Sequence, residues 1–187
     1  MDWYNQHGYR PMIPENFGRE TSDKEIVRLV GKEYKDNKYV EVSKELYGQY
    51  LAIEEAYIGG LKRTFGNTIS TDFEVILTKY GMGGSYSLPN KIIINICFIR
   101  KPLIKIVIHE ICHLMIETDI LKYGILQREK ERVVDLILNS EKFSFLNYDW
   151  WQDSYDGTEK YIDDLFEKGF FKSPEKFFKK ISSVRNK

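Results

Sequence analysis

The sequence predicts an α+β fold, in which a small sheet lies between an N-terminal and a C-terminal group of helices. Three observations predict it: helical spacing of apolar residues up to about residue 65, β-forming residues over 71–96, and helical patterns from residue 103 onward. This order lacks the regular strand–helix alternation of a parallel βαβ sheet. We therefore expect one domain over residues 1–187.

This single domain is expected to have three parts. Residues 1–20 contain glycines and prolines and form an irregular arm, residues 21–117 hold helices, the sheet and a buried helix, and residues 118–187 form a helical C-terminal subdomain.

Two helical segments precede the sheet. The first begins after Ser22, which can cap it, and has acidic residues in its first turn. The second runs from about Val42 to Phe65, where Gly59 and Gly60 favour a kink or an early end. Beyond the sheet, helices are expected over about 103–117, 127–142, 158–168 and 173–184.

Three short strands form the predicted sheet, over 72–80, 85–88 and 91–96. A glycine-rich break over 81–84 separates the first two strands, and Pro89 with Asn90 turns the chain into the third. The third strand is the most apolar, which places it inside the sheet.

Composition excludes several classes of protein. A 42% apolar fraction with 14% aromatic residues can build a core, which excludes wholesale disorder. Because 28 Lys and Arg balance 28 Asp and Glu, we expect no nucleic-acid partner. Charged residues interrupt the apolar stretch over 92–116, so we expect no membrane span. Two cysteines and no apparent signal peptide predict a soluble cytoplasmic protein.

The chemistry of the chain is concentrated in an HExxH motif. His109 and His113 lie one helical turn apart, so both imidazoles can reach one metal ion, and Glu110 lies beside them as a base for water. The surrounding helix is strongly apolar and predicts burial, and buried polar groups need hydrogen bonds or a cation. A catalytic zinc ion takes three protein ligands and keeps one position open.

The third ligand is expected on the next helix. Glu131 and Asp135 lie one turn apart within an apolar run, where two inward-facing acids need positive charge. We expect Glu131 to ligate Zn²⁺ and Asp135 to orient a ligating histidine. Glu117 is a rival ligand on the first helix, too far along its axis, and Glu129 is a rival that points to a different face.

A solvated salt-bridge ladder is the alternative interpretation of this second motif. In that arrangement Arg128 pairs with Glu131, and Arg132 pairs with Asp135, each at a spacing of three residues.

HExxH followed by ExxxD resembles the gluzincin metallopeptidases over roughly residues 85–140. The resemblance implies a zincin-like α+β fold, with Glu131 as the third zinc ligand and Asp135 bound to a zinc-ligating histidine. The chain lacks a histidine after His113 to stabilise the tetrahedral intermediate. Among Tyr148, Tyr155 and Tyr161, we choose Tyr155 for that role.

The resemblance also implies where a substrate binds. In zincin-like folds a peptide lies extended along an edge strand before the active-site helix, which here is the segment Ser85–Leu88. The expected function is zinc-dependent hydrolysis of peptide bonds, with Glu110 as general base. A noncatalytic, zinc-stabilised binding module is the alternative, although a purely structural site has no use for Glu110.

Overall fold

The structure is a computed structural model. It describes five stretches of the chain: 21–33, 37–81, 83–97, 101–151 and 160–185. Its elements are α1 (Asp23–Glu33), α2 (Asn37–Leu51), α3 (Glu54–Phe65), β1 (Glu74–Thr78), β2 (Gly84–Ser87), β3 (Lys91–Asn95), α4 (Leu103–Tyr123), α5 (Gln127–Leu138), α6 (Lys160–Gly169) and α7 (Pro174–Arg185), with 3₁₀ turns at Glu141–Leu146 and Phe170–Lys172. The fold is α+β, with a small mixed sheet and mostly helical structure, which confirms the predicted class. The expected N-terminal arm, residues 1–20, lies outside the described residues.

The N-terminal helices differ from the prediction at one point. Ser22 caps α1 as expected, since its hydroxyl accepts from the Glu25 amide and Glu25 reaches back to the Ser22 backbone N–H. The predicted helix over 42–65 is in fact two helices, because the chain tightens at Ile53, whose amide donates to Tyr50 O instead of continuing the α-helical ladder. No Gly or Pro marks this break.

The break predicted at Gly59 and Gly60 is wrong, since α3 continues through both residues. A Cβ at Gly60 would lie 2.8 Å from the Phe143 ring, so this glycine permits close packing of the 3₁₀ turn on α3. The helix ends instead at Gly66, whose φ of +95° is unfavourable for other residues.

The three strands are ordered β1-β3-β2, so the apolar β3 is central as predicted. β1 runs parallel to β3 and β2 runs antiparallel to it. Val75 lies opposite Ile92, and Tyr86 lies opposite Ile92 on the other side. Residues opposite each other in neighbouring strands share a face, so these apolar side chains give the sheet an apolar face. Helix α4 packs against β2 and β3.

Helix α4 passes through the centre of the core. Ile108, Ile111 and Cys112 are almost fully buried within it. The helix extends beyond the predicted end at residue 117 and stops at Gly124, which adopts the left-handed conformation typical of a C-cap. Among the described residues, no helix combines the length and the apolar character needed to span a bilayer.

Candidate metal centre

Helix α4 positions the HExxH residues inside the protein. His109, Glu110 and His113 retain only 3%, 7% and 2% of their accessible surface. Helix α5 packs against α4 and brings Glu131 to the same place. The two helices therefore join the first and second sequence motifs at one buried site.

Three potential ligand atoms converge there. His109 Nε2 lies 3.0 Å from His113 Nε2 and 3.1 Å from Glu131 Oε2, and His113 Nε2 lies 3.2 Å from the same oxygen. Ligands held at about 2.0–2.1 Å from a tetrahedral zinc ion are about 3.3–3.4 Å apart, so the observed triangle is only a few tenths of an ångström smaller. Within the described residues, this is the one group of His, Cys, Asp or Glu able to hold a metal ion.

The carboxylate oxygen of Glu131 that points away from the histidines also has a hydrogen-bond partner. This oxygen, Oε1, accepts a hydrogen bond of 2.6 Å from Gln127 Nε2, one turn earlier on α5. Glu131 thus presents one oxygen to the histidines while the other fixes the orientation of the carboxylate.

The second nitrogen of His109 has a partner that differs from the expected one. His109 Nδ1 lies 2.7 Å from the Tyr148 hydroxyl and 3.9 Å from Asp135 Oδ1. Tyr148, not Asp135, is therefore within hydrogen-bond distance, while the fully buried Asp135 places its charge beside the same imidazole. Since the Tyr148 hydroxyl lies behind His109, it is not placed to stabilise a reacting carbonyl.

The segment that carries Tyr148 is anchored from two sides. Lys105 Nζ on α4 donates to the carbonyl oxygens of Asn147 and Tyr148 at 2.7 and 2.6 Å. Asn139, at the end of α5, donates to Trp150 O at 2.8 Å. The Trp150 ring lies 5.1 Å from the His109 ring, between centroids, and forms an apolar wall of the site.

His113 is oriented by an aromatic ring from the sheet. Tyr86 on β2 stacks on its imidazole, with centroids 5.0 Å apart and planes inclined by 11°. The Tyr86 hydroxyl donates to Glu117 and accepts a 2.8 Å bond from Lys130 Nζ, so both helices hold this ring. His113 Nδ1 is buried and has no hydrogen-bond partner among the described residues.

Glu110 lies where α4 packs closely against Gly84 of β2. A Cβ at Gly84 would be only 2.5 Å from Glu110 Oε1 and 2.6 Å from Ile106 Cγ2, so the strand can lie there only because this residue is glycine. Burial raises the pKa of Glu110 to about 7, although the nearby His109 opposes that change. A carboxyl group with such a pKa can both accept and donate a proton near neutral pH.

The three converging groups perturb one another. Burial disfavours the charged form of His109, but the carboxylates around it, Glu131 first, raise its pKa above the usual value. Burial lowers the pKa of His113 to about 4. Burial alone would raise the pKa of Glu131, yet its hydrogen bonds with both histidines hold it well below the usual range.

The rival ligands have other partners. Glu129 accepts from the Leu126 amide, Tyr161 and Arg185, and Glu117 accepts from Tyr86. Arg132 of the proposed salt-bridge ladder donates to Asp163 on α6 at 2.8 and 2.6 Å.

The structure brings together His109, Glu110, His113, Glu131 and Asp135, the five residues that the sequence analysis assigned to one site. Tyr155, the predicted oxyanion donor, lies outside the described residues. The sequence analysis missed Tyr86 and Lys130, of which only Tyr86 carried a signal, because its alternation with Ser85 and Ser87 indicated an inward side chain.

Comparisons of the chain with protein-family models, with curated proteins and with solved structures found no match. The functional argument therefore depends on the residues of the site and their geometry.

Proposed function

We propose that this protein is a zinc-dependent peptidase with a zincin-like catalytic core. The observation that carries the proposal is the convergence of His109, His113 and Glu131 to within 3.2 Å of one another beside the buried Glu110. Two imidazoles and one carboxylate form the donor set of many catalytic zinc sites, which leave one position open.

Each residue has a separate role in the proposed reaction. His109, His113 and Glu131 hold the ion, while Tyr148 and Tyr86 fix the directions of the two imidazoles. When bound, zinc supplies Lewis acidity that activates water and polarises a carbonyl group. Glu110 accepts the proton of the attacking water as the new C–O bond forms, and then passes it to the leaving amine as the peptide C–N bond breaks.

A peptide substrate is proposed to lie along β2. Within the described residues β2 is an edge strand, so one side of its backbone remains available for hydrogen bonds with an extended chain. Its first residue, Gly84, lies against Glu110, so a peptide paired with β2 would run beside the proposed base. Such binding recognises the backbone of the substrate more than its side chains.

Substitution of the proposed base tests this function. Glu110→Gln keeps the size of the side chain but cannot accept a proton, so we expect full zinc content and a loss of peptide cleavage by about a hundred- to ten-thousandfold. Asp119→Asn, which neutralises another acid on α4 without touching the site, is the matched control and should cleave normally.

The assay should use a mixed peptide library or an unfolded protein, with zinc content measured on every sample. Cleavage by the parent chain that survives in Glu110→Gln would refute the mechanism. If neither chain cleaves peptides at full zinc occupancy, the noncatalytic zinc-stabilised module replaces the enzyme as the better hypothesis.

A further inference from the structure

A cavity lies on the side of α4 opposite the candidate metal centre. Its volume is about 340 Å³, and it opens between α2, β1 and α4. Val107 and Ile111 form its floor, and each lies two residues from a metal-centre histidine, about 200° around the helix. The cavity is therefore separate from the metal centre and needs an explanation of its own.

Apolar and polar side chains both line the cavity. Leu46 from α2 and Val75 and Leu77 from β1 line it together with the two residues of the floor. A volume of 340 Å³ falls at the lower end of the range for small-molecule sites. A ligand that fits here is small and has an apolar part that contacts these side chains and a polar part that contacts the rest of the lining.

Two groups that can accept hydrogen bonds lie at the cavity. The Tyr50 hydroxyl oxygen is buried and makes no hydrogen bond within the described part of the chain. The half-buried Glu54 lines the same cavity and supplies a carboxylate there. Burial, followed by the charge of Glu54, raises the pKa of Tyr50 to about 12.

The charge at this cavity has one sign. Glu54 and Asp72 both line it, whereas no Lys, Arg or His belongs to the described lining. A primary ammonium group carries three N–H donors and one positive charge, so it can bind a carboxylate and a phenol oxygen at once. An anionic ligand would be repelled by these two carboxylates.

We propose that this cavity binds a small apolar molecule that carries a primary ammonium group. The apolar body contacts Leu46, Val107 and Ile111, and the ammonium donates to Glu54 and to the Tyr50 hydroxyl. The inference is independent of zinc and of peptide hydrolysis, since none of these residues belongs to the metal centre.

Three probes with the same aromatic body test the proposal: 2-phenylethylamine, 2-phenylethanol and phenylacetate. Their affinities for the full-length chain can be measured by calorimetry, with NMR chemical shifts of the Val107 and Ile111 methyl groups to locate the site. We expect the amine to bind at least about tenfold more tightly than the alcohol, as a charge-assisted hydrogen bond implies, and the acid to bind least.

Substitutions assign the selectivity to the proposed groups. Glu54→Gln should reduce the affinity for the amine to that for the alcohol, and Tyr50→Phe should weaken the binding of both probes. Glu55→Gln, at the adjacent exposed position, is the control and should change neither. The proposal is overturned if no probe shifts the methyl signals, if amine and alcohol bind equally, or if Glu54→Gln leaves the preference for the amine intact.

Discussion

Two glutamates of α5, only two residues apart, have opposite surroundings. Glu131 faces both histidines, whereas Glu129 accepts hydrogen bonds from the Leu126 backbone, Tyr161 and Arg185. Residues two apart on a helix point about 200° from each other, so one carboxylate reaches α4 while the other ties α5 to α6 and α7. The same type of side chain therefore belongs to the candidate metal centre at one position and to the packing of the C-terminal helices at the other.

This difference predicts separate effects of two alanine substitutions. Glu131→Ala should greatly weaken zinc affinity, because it removes one of three ligands. Glu129→Ala should leave zinc affinity unchanged but lower the free energy of unfolding by about 1–3 kcal/mol, since it removes a buried carboxylate that accepts hydrogen bonds from three groups. Competition with a coloured chelator measures the affinity, and urea denaturation measures the stability. The reverse pattern would identify Glu129 as the ligand.

The contact between Tyr148 and His109 leads to a second prediction at the residue scale. Tyr148→Phe removes only the hydroxyl that lies 2.7 Å from His109 Nδ1, so zinc affinity should fall by about ten- to a hundredfold. Tyr123→Phe removes a hydroxyl that binds Glu175 on the surface and should leave the affinity unchanged. Equal affinities of the two variants would show that Tyr148 does not orient the histidine.

At the scale of elements, hydrophobic periodicity and the positions of Gly and Pro determined what could be predicted from the sequence. The apolar run around His109 predicted a buried helix, and the apolar β3 predicted the central strand, since both patterns reflect burial directly. The break between α2 and α3 was missed, because it follows from the packing of each helix on the core and carries no Gly or Pro. The contact of Tyr148 with His109 was also missed, since a partner 39 residues away leaves no local pattern.

The close approach of β2 to α4 gives a prediction for these two elements. Gly84→Ala should lower the free energy of unfolding by about 1–3 kcal/mol, because the new Cβ would overlap Ile106 and Glu110 in a packed interior. Gly48→Ala on α2 is the control: nothing lies within 4 Å of its Cβ position, so it should stabilise the helix by about 0.5–1 kcal/mol. Denaturation by urea measures both. If Gly84→Ala left the free energy of unfolding unchanged, the strand and the helix would be able to move apart without cost.

At the scale of the whole molecule, the candidate centre depends on parts that are distant in sequence. Its histidines come from α4, Glu131 from α5, Tyr148 from the segment after the first 3₁₀ turn and Tyr86 from β2. The C-terminal helix α7 contacts the other side of α5, where Arg185 donates to Glu129. Arg185 also donates to Gly124 O at the end of α4. A metal ion at the centre would therefore connect α4 with α5, and Tyr86 of β2 packs on one of its histidines.

This connection predicts that zinc stabilises the whole fold. A ligand that binds only the folded chain adds about 2.7 kcal/mol when its free concentration is a hundred times its Kd, which for a chain of this size raises the melting temperature by about 5–11 °C. Scanning calorimetry of zinc-loaded and chelator-treated protein measures the shift. Magnesium is the control ion, because it prefers oxygen ligands in octahedral geometry and should cause no shift.

The assignment of that stabilisation to the candidate centre needs a variant. In His113→Ala the triangle of ligand atoms loses one corner, so added zinc should no longer raise the melting temperature. Since the alanine also removes a buried side chain, the comparison is made within the variant, with and without zinc, rather than against the parent. A zinc-dependent shift of undiminished size in His113→Ala would place the stabilising ion elsewhere in the molecule, and the proposed centre would be wrong.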